Sequence, residues 1–263
     1  MPAMSRAFRI PLKNGESIEL IIHEPALTAD NLGLKTWASS YLLSKRLCAL
    51  DLPILTKSDS AEPQILELGS GTGLVGLAAA CVYGSGVVLT DLPSIVPNLL
   101  NNIQKNRDII EQNDGFVQGG ILDWMEPTSC HLLSDETSSL EETGVISGRK
   151  FPVIVAADSL YSPEHPRMLV DTIKIWLSDD ENARVVVEFP FREGYLAELN
   201  DFRERMKIIG LEVLQEGKES GRDDWGWGCG ENVEAPDEAV VICWWSVWGR
   251  HGRETKVGNP SPS

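Results

Sequence analysis

From residue 64 onward, short apolar runs alternate with segments whose apolar residues recur every three or four positions. QILEL, GVVLT, GFVQG, VIVAA and RVVVEF read as five strands. Between and after them come four helical faces. These are Leu74, Leu77, Ala78 and Cys81; Ile95, Leu99 and Ile103; Leu169, Ile173, Trp176 and Leu177; and Leu199, Phe202, Met206 and Ile209. Strands that are apolar throughout, rather than on alternate residues, belong in a parallel sheet covered on both faces. LEVLQ and AVVICWWSVW close the pattern as an antiparallel hairpin on one edge. The expected fold is α/β, a doubly wound and mostly parallel sheet of seven strands.

Ahead of this, FRIPLKNGESIELII reads as two short strands around Asn14-Gly15, a dipeptide that favours hairpin turns. The stretch carrying Trp37, Tyr41, Leu42 and Leu47 reads as a helix, and LDLPILTKSDSAEP as a connector. Segment 126–150 is polar, acidic and irregular, and is expected to be an inserted surface loop. The division this suggests is a hairpin extension over 1–30, a main domain over 31–250 and a disordered tail over 251–263.

Composition narrows the partners. The 263 residues carry a formal net charge of −16. Such a surface repels phosphate backbones, so nucleic acid is not expected, whereas a basic protein segment would be attracted. Solubility alone would also account for the charge. No apolar run is long enough to span a membrane, and the N-terminus lacks the apolar core of a secretory signal. The five cysteines (Cys48, Cys81, Cys130, Cys229 and Cys243) form no C-x-x-C pair, so a cytoplasmic location is the simplest expectation. His23, His131 and His251 have no metal-ligand spacing, and no metal is expected.

The candidate chemistry sits on ILELGSGTGLVGLAAA, where a strand breaks into glycines and resumes as a helix. Two registers compete. Gly71-x-Gly73-x-x-Gly76, with Asp91 about 20 residues on, matches the dinucleotide fingerprint and would make the chain a nicotinamide-dependent oxidoreductase. That fingerprint normally begins directly after the strand, however, and here the first residue after it is Gly69. The other register is Glu67-x-Gly69-x-Gly71-x-Gly73, with an acid at the strand's end. A carboxylate there would repel a pyrophosphate but could receive an α-ammonium. Bare Gly69 and Gly71 would let backbone approach a nucleoside closely. Asp91, ending the second strand, could accept both hydroxyls of a ribose.

The second register is similar to the first motif of class I S-adenosylmethionine-dependent methyltransferases. VVLTDLPSIVPNLLNNIQKN, ILDW and VIVAADSLYSPE resemble one branch of them, the family-16 seven-β-strand protein lysine methyltransferases. The D-x-x-Y element Asp158-Ser159-Leu160-Tyr161 marks that branch. DLP and NLGLKTW resemble its fungal members that modify translation elongation factors. The likeness runs from about Asn31 to Glu193 and more faintly to Trp248. It implies S-adenosyl-L-methionine as cofactor and a protein substrate, with an elongation factor as the expected target. Glu67, Gly69, Ser70, Gly71, Gly73 and Asp91 would bind the cofactor. Trp37 would pack against it, Trp124 would flank the adenine with Asp123 near its amine, and Ala157 would line the floor. Asp158 and Tyr161 would form the catalytic rim, receiving and orienting the lysine.

Other features are weaker. Trp225 and Trp227, in an acidic and aromatic segment, could form a substrate lip or simply pack. His165, in YSPEHPRM, lies near the expected site but reads as a surface residue starting a helix, and 193–200 reads as a solvated helix face. A non-catalytic adaptor with the same fold stays open, although the intact D-x-x-Y element argues against it. A monomer is expected, because a site that admits a folded protein gains nothing obvious from pairing.

Overall fold

In the computed structural model, residues 3–26, 32–56, 60–134, 141–222 and 240–250 are described. Met4–Pro11 (β1) and Ser17–Glu24 (β2) form the N-terminal hairpin. Its turn is built on Gly15 at φ 86° and on the Asn14 carboxamide oxygen, which accepts from the Glu16 N–H. Ala38–Arg46 (α1) follows, and then Ile65–Leu68 (β3), Leu74–Tyr83 (α2) and Gly86–Asp91 (β4). Val96–Lys105 (α3) and a short Arg107–Gln112 (α4) lead to Phe116–Ile121 (β5). Ser129–Leu133 (β6), Glu142–Ser147 (β7) and Val153–Ala157 (β8) precede His165–Trp176 (α5). Arg184–Pro190 (β9), Leu196–Ile208 (α6), Leu211–Arg222 (β10) and Val240–Arg250 (β11) complete the described elements.

The main sheet has nine strands in the order β10-β11-β9-β8-β3-β4-β5-β6-β7. The centre, from β9 to β5, is parallel, and β11 pairs antiparallel with both β9 and β10. These are the seven strands expected from the sequence. Two more come from segment 126–150, which is not simply an irregular loop: β6 pairs antiparallel with β5 and β7 with β6. Its strands escaped notice because they lie at the sheet edge, where only Cys130 and Leu133 are buried and no continuous apolar run is needed. Residues 251–263 and the Trp225–Trp227 segment lie outside the described residues.

Alternate residues of the central strands divide the core. Ile65, Val87, Leu89, Val153, Val155 and Val186 face α1, α2 and α3, whereas Leu66, Leu68, Val88, Ile154, Val185 and Val187 face α5 and α6. The hairpin shares the first of these cores through Phe8, Ile10, Leu20 and Ile22.

It is also tied down by a ladder of asparagines. Asn98 and Asn102 on α3 and Asn106 at its C-cap recur every four residues and so line up on one face. Asn106 accepts from the Ile21 N–H and donates to the Ile21 carbonyl, both at 2.8 Å. Asn102 does the same for His23, at 2.8 and 3.1 Å, and Asn98 donates a second bond to the His23 carbonyl. The carboxamides satisfy the outer edge of β2 as a third strand would. No helix among the described residues is long and apolar enough to cross a membrane.

Candidate active site

The glycine turn leaves β3 directly at Gly69, as the second register requires. Gly69 and Gly71 hold φ of 67° and 55°, in the left-handed region where a side chain is strained. Ser70, between them, pins the turn to β4. Its N–H donates to the Thr90 carbonyl and its Oγ accepts from the Thr90 N–H, both at 2.9 Å. Protein atoms crowd the bare faces of these glycines. A Cβ at Gly71 would lie 2.8 Å from the Gly33 carbonyl, and one at Gly69 would lie 3.1 Å from the Trp124 indole.

Glu67 lies away from the cavity, not at its wall as the sequence suggested. Its side chain lies beneath the turn, 2% exposed, and is absent from the cavity wall. The Gly76 N–H donates to its Oε2 at 3.1 Å, and a Cβ at Gly76 would fall 2.5 Å from that oxygen. Burial pushes the carboxyl up to about 8, against hydrogen bonds from Ser70 and Gly76 that favour the anion. Glu67 is thus packed under the turn against Gly76, where burial favours its protonated form. Gly73 is likewise off the wall, packed against Leu89 and Leu99.

Above the turn lies a cavity of about 460 Å³, a size suited to a nucleoside-containing ligand. It opens at the C-terminal ends of β3, β4, β5, β8 and β9, where the sheet's chain order reverses between β3 and β8. Ligands of open α/β sheets bind at that switch. Gly69, Ser70, Gly71, Asp91, Trp124, Ala157, Asp158, Tyr161 and Trp37 all line it. Residues the sequence did not single out join them: Lys35, Ser40, Leu92, Met125, Pro190, Arg192 and Tyr195.

Asp91 ends β4 at the cavity wall. Its Oδ2 accepts from the Gly71 N–H and its Oδ1 from the Leu92 N–H, both at 2.7 Å. Burial raises its carboxyl to about 6, against the opposing effect of those two N–H groups. Each oxygen has a further lone pair, so a pair of neighbouring hydroxyls matches it chemically.

At the other end, Asp158 follows β8 with φ 54°, one of only two non-glycine residues at positive φ among those described. Its N–H donates to the Glu188 carbonyl at 3.0 Å, and its Oδ2 accepts from the Ser39 hydroxyl at 2.5 Å. A left-handed aspartate costs on the order of 1 kcal/mol, and aspartate and asparagine bear that conformation better than other side chains. Tyr161 is 55% exposed. Burial of its hydroxyl, then the charges of Asp91 and Asp158, raise its pKa.

His165 begins α5 as expected, but it is no idle surface residue. It lines the cavity with its ring edge-on to Tyr161, centroids 4.2 Å apart, and to Trp124 at 6.2 Å. Its Nδ1 lies 3.0 Å from the Ser159 carbonyl, so Nδ1 carries the proton and donates it. Burial lowers its pKa, against the Ser159 hydrogen bond and the Glu164 charge, and so favours the neutral ring.

The donor set fits S-adenosylmethionine: a carboxylate for sugar hydroxyls, an aromatic and apolar slot of Trp124, Leu92 and Met125 for a flat base, and a polar turn between them. The sequence comparisons bear on the family. The pattern defining the family described as lysine methyltransferase matches residues 14–194. Protein-lysine N-methyltransferase EFM2 of Saccharomyces cerevisiae is 37% identical over 240 residues, covering 86% of this chain and 52% of that protein. Protein-lysine N-methyltransferase rrg1 of Schizosaccharomyces pombe is 35% identical over 252 residues, covering 96% and 73%. This chain thus spans about half the length of the first relative and most of the second. Among solved structures, TYW2 of P. horikoshii in complex with MeSAdo aligns with a TM-score of 0.49 at 14% identity, covering 89% of this chain and 68% of that one. On the family pattern and the two yeast relatives, the chain belongs to the lysine methyltransferase family.

Proposed function

We propose that the protein is an S-adenosylmethionine-dependent protein-lysine N-methyltransferase. The observation that carries this reading is that Asp91, beside the glycine turn, and the Asp158–Tyr161 pair face one continuous cavity. Bound there, S-adenosylmethionine supplies a methyl group on a positively charged sulfur, already activated for transfer. Asp91 would hold the sugar through its two oxygens. Trp124, Leu92 and Met125 would hold the base, and Ala157 would form part of the floor.

The substrate amine needs two things from the chain. It must be aligned with the methyl group, and it must lose a proton, since a free lysine titrates near about 10.4. Asp158 attracts the incoming ammonium and fixes its nitrogen. Trp37, Tyr161, Pro190 and Tyr195 strip water from it, which lowers its pKa. The proton would pass to water, leaving the nitrogen lone pair, held in place by Asp158, free to accept the methyl group that the cofactor would supply.

A translation elongation factor is the proposed substrate, on the resemblance of NLGLKTW and DLP to fungal enzymes of that specificity. The net charge of −16 suits a lysine-rich partner.

Methyl-labelled S-adenosylmethionine incubated with the protein and with lysate from cells lacking it tests the reading. A labelled protein band with the label on lysine is expected. Asp158→Asn, which keeps the left-handed backbone, should slow labelling about 10- to 100-fold, as loss of a charged hydrogen bond implies. Absence of any labelled lysine would overturn the proposal.

A further inference from the structure

We propose that Ser39 is a positioning residue for methyl transfer: its hydroxyl orients the Asp158 carboxylate, and it acts on the reaction through that contact alone. The inference rests on the reading of Asp158 as the group that receives the amine.

Ser39 is fully buried in the first turn of α1. Residues 39 and 158 meet because α1 packs across β8 and β9 near the cavity. The Ser39 Oγ donates to Asp158 Oδ2 at 2.5 Å, the short distance expected when a hydroxyl meets a carboxylate. A buried helical serine commonly turns its hydroxyl onto its own helix, as Ser44 does with the Ser40 carbonyl at 2.7 Å. Ser39 has no turn of α1 behind it to supply such a carbonyl, so its hydroxyl reaches across to the end of β8.

What the contact achieves follows from the rest of Asp158. Its backbone is already fixed at φ 54° by the end of β8 and by the bond from its N–H to the Glu188 carbonyl. With the backbone set, only two side-chain torsions remain, and the Ser39 hydroxyl restrains both by holding one carboxylate oxygen. The start of α1 also contributes Trp37 and Ser40 to the cavity wall. The helix that shapes the entrance for the amine therefore also holds the group that meets it. An alanine at 39 would keep the helix and remove the hydroxyl's hold on Asp158 Oδ2.

A double-mutant cycle tests this. Initial rates of methyl labelling of the lysate target are measured at varied S-adenosylmethionine for wild type, Ser39→Ala, Asp158→Asn and the double variant. Binding of S-adenosylhomocysteine to each is followed by calorimetry. Ser39→Ala should lower the maximal rate about tenfold, the loss of one hydrogen bond to a charged group, with cofactor affinity within about twofold of wild type. On the Asp158→Asn background it should have no further effect. Ser39→Cys, a weaker donor of similar size, should fall between serine and alanine and serves if the alanine variant folds poorly. Full activity in Ser39→Ala, or an equal loss on both backgrounds, overturns the inference while leaving the role of Asp158 intact. A normal rate in Asp158→Asn removes that role and the inference with it.

Discussion

The hydroxyls of Thr36 and Thr72 lie 2.8 Å apart, joining the segment that carries Lys35 and Trp37 to the glycine turn. The Thr36 N–H donates to Glu24 Oε1 at 2.9 Å, and Arg6 pairs with the same oxygen at 2.7 Å. The N-terminal hairpin is thereby wired to the cavity floor through buried polar groups. Thr36→Val should weaken S-adenosylhomocysteine binding about three- to tenfold, the worth of one buried hydrogen bond. Calorimetry showing unchanged affinity would mean the hairpin is only a lid on the core.

Cofactor affinity should depend on pH through Asp91. Burial raises its carboxyl to about 6, and only the anion can accept two hydroxyls without donating a proton in return. Binding should therefore tighten as pH rises from 5 to about 7.5. Asp91→Asn should bind weakly at both ends of that range and lose the dependence. Equal slopes in the two proteins would show that another group titrates.

Stability should run in the opposite sense. Glu67, raised by burial to about 8, keeps its proton in the folded chain where an unfolded glutamate, near about 4.3, has released it. That contribution is complete below the unfolded value and disappears as pH rises through about 8. Glu188, fully buried and raised to about 9 by burial and by the charge of Glu219, acts in the same direction. The melting temperature of the ligand-free protein should fall between pH 6 and pH 9, and Glu67→Gln should flatten the fall. A steeper decline in the variant would contradict the assignment.

His165 should matter through its ring. Its edge supports Tyr161 at 4.2 Å while the Ser159 carbonyl fixes its orientation. His165→Ala should slow methyl labelling by about tenfold, roughly the value of one aromatic pair together with one hydrogen bond. His165→Asn offers a donor but no ring, so recovery of the full rate in that variant would show the aromatic contact to be idle.

The central strands and the glycine turn were legible because they depend on local order: continuous apolar runs, and glycines where the backbone takes positive φ. Asp158 and Tyr161 came into view only through the resemblance that the D-x-x-Y element carries, and their place just after β8 puts both on the cavity wall. Strands β6 and β7 were hidden because edge strands bury few residues and leave little apolar signal. The true position of Glu67 depends on Gly76 approaching from a helix, which spacing alone does not reveal. Ser39 was invisible because its partner is 119 residues away, and a serine in a helix carries no mark of what it touches. The contacts of His165 with Tyr161 and Trp124 could not be read from the sequence, because the two rings come from different segments.

Crystallography of the protein with bound S-adenosylhomocysteine tests the central claim most directly. The expected result is a nucleoside in the cavity above Gly69 and Gly71, its sugar hydroxyls on Asp91 and its sulfur directed toward Asp158 and Tyr161. A nucleoside bound elsewhere, or a cavity closed by its own side chains when the ligand is saturating, would contradict it.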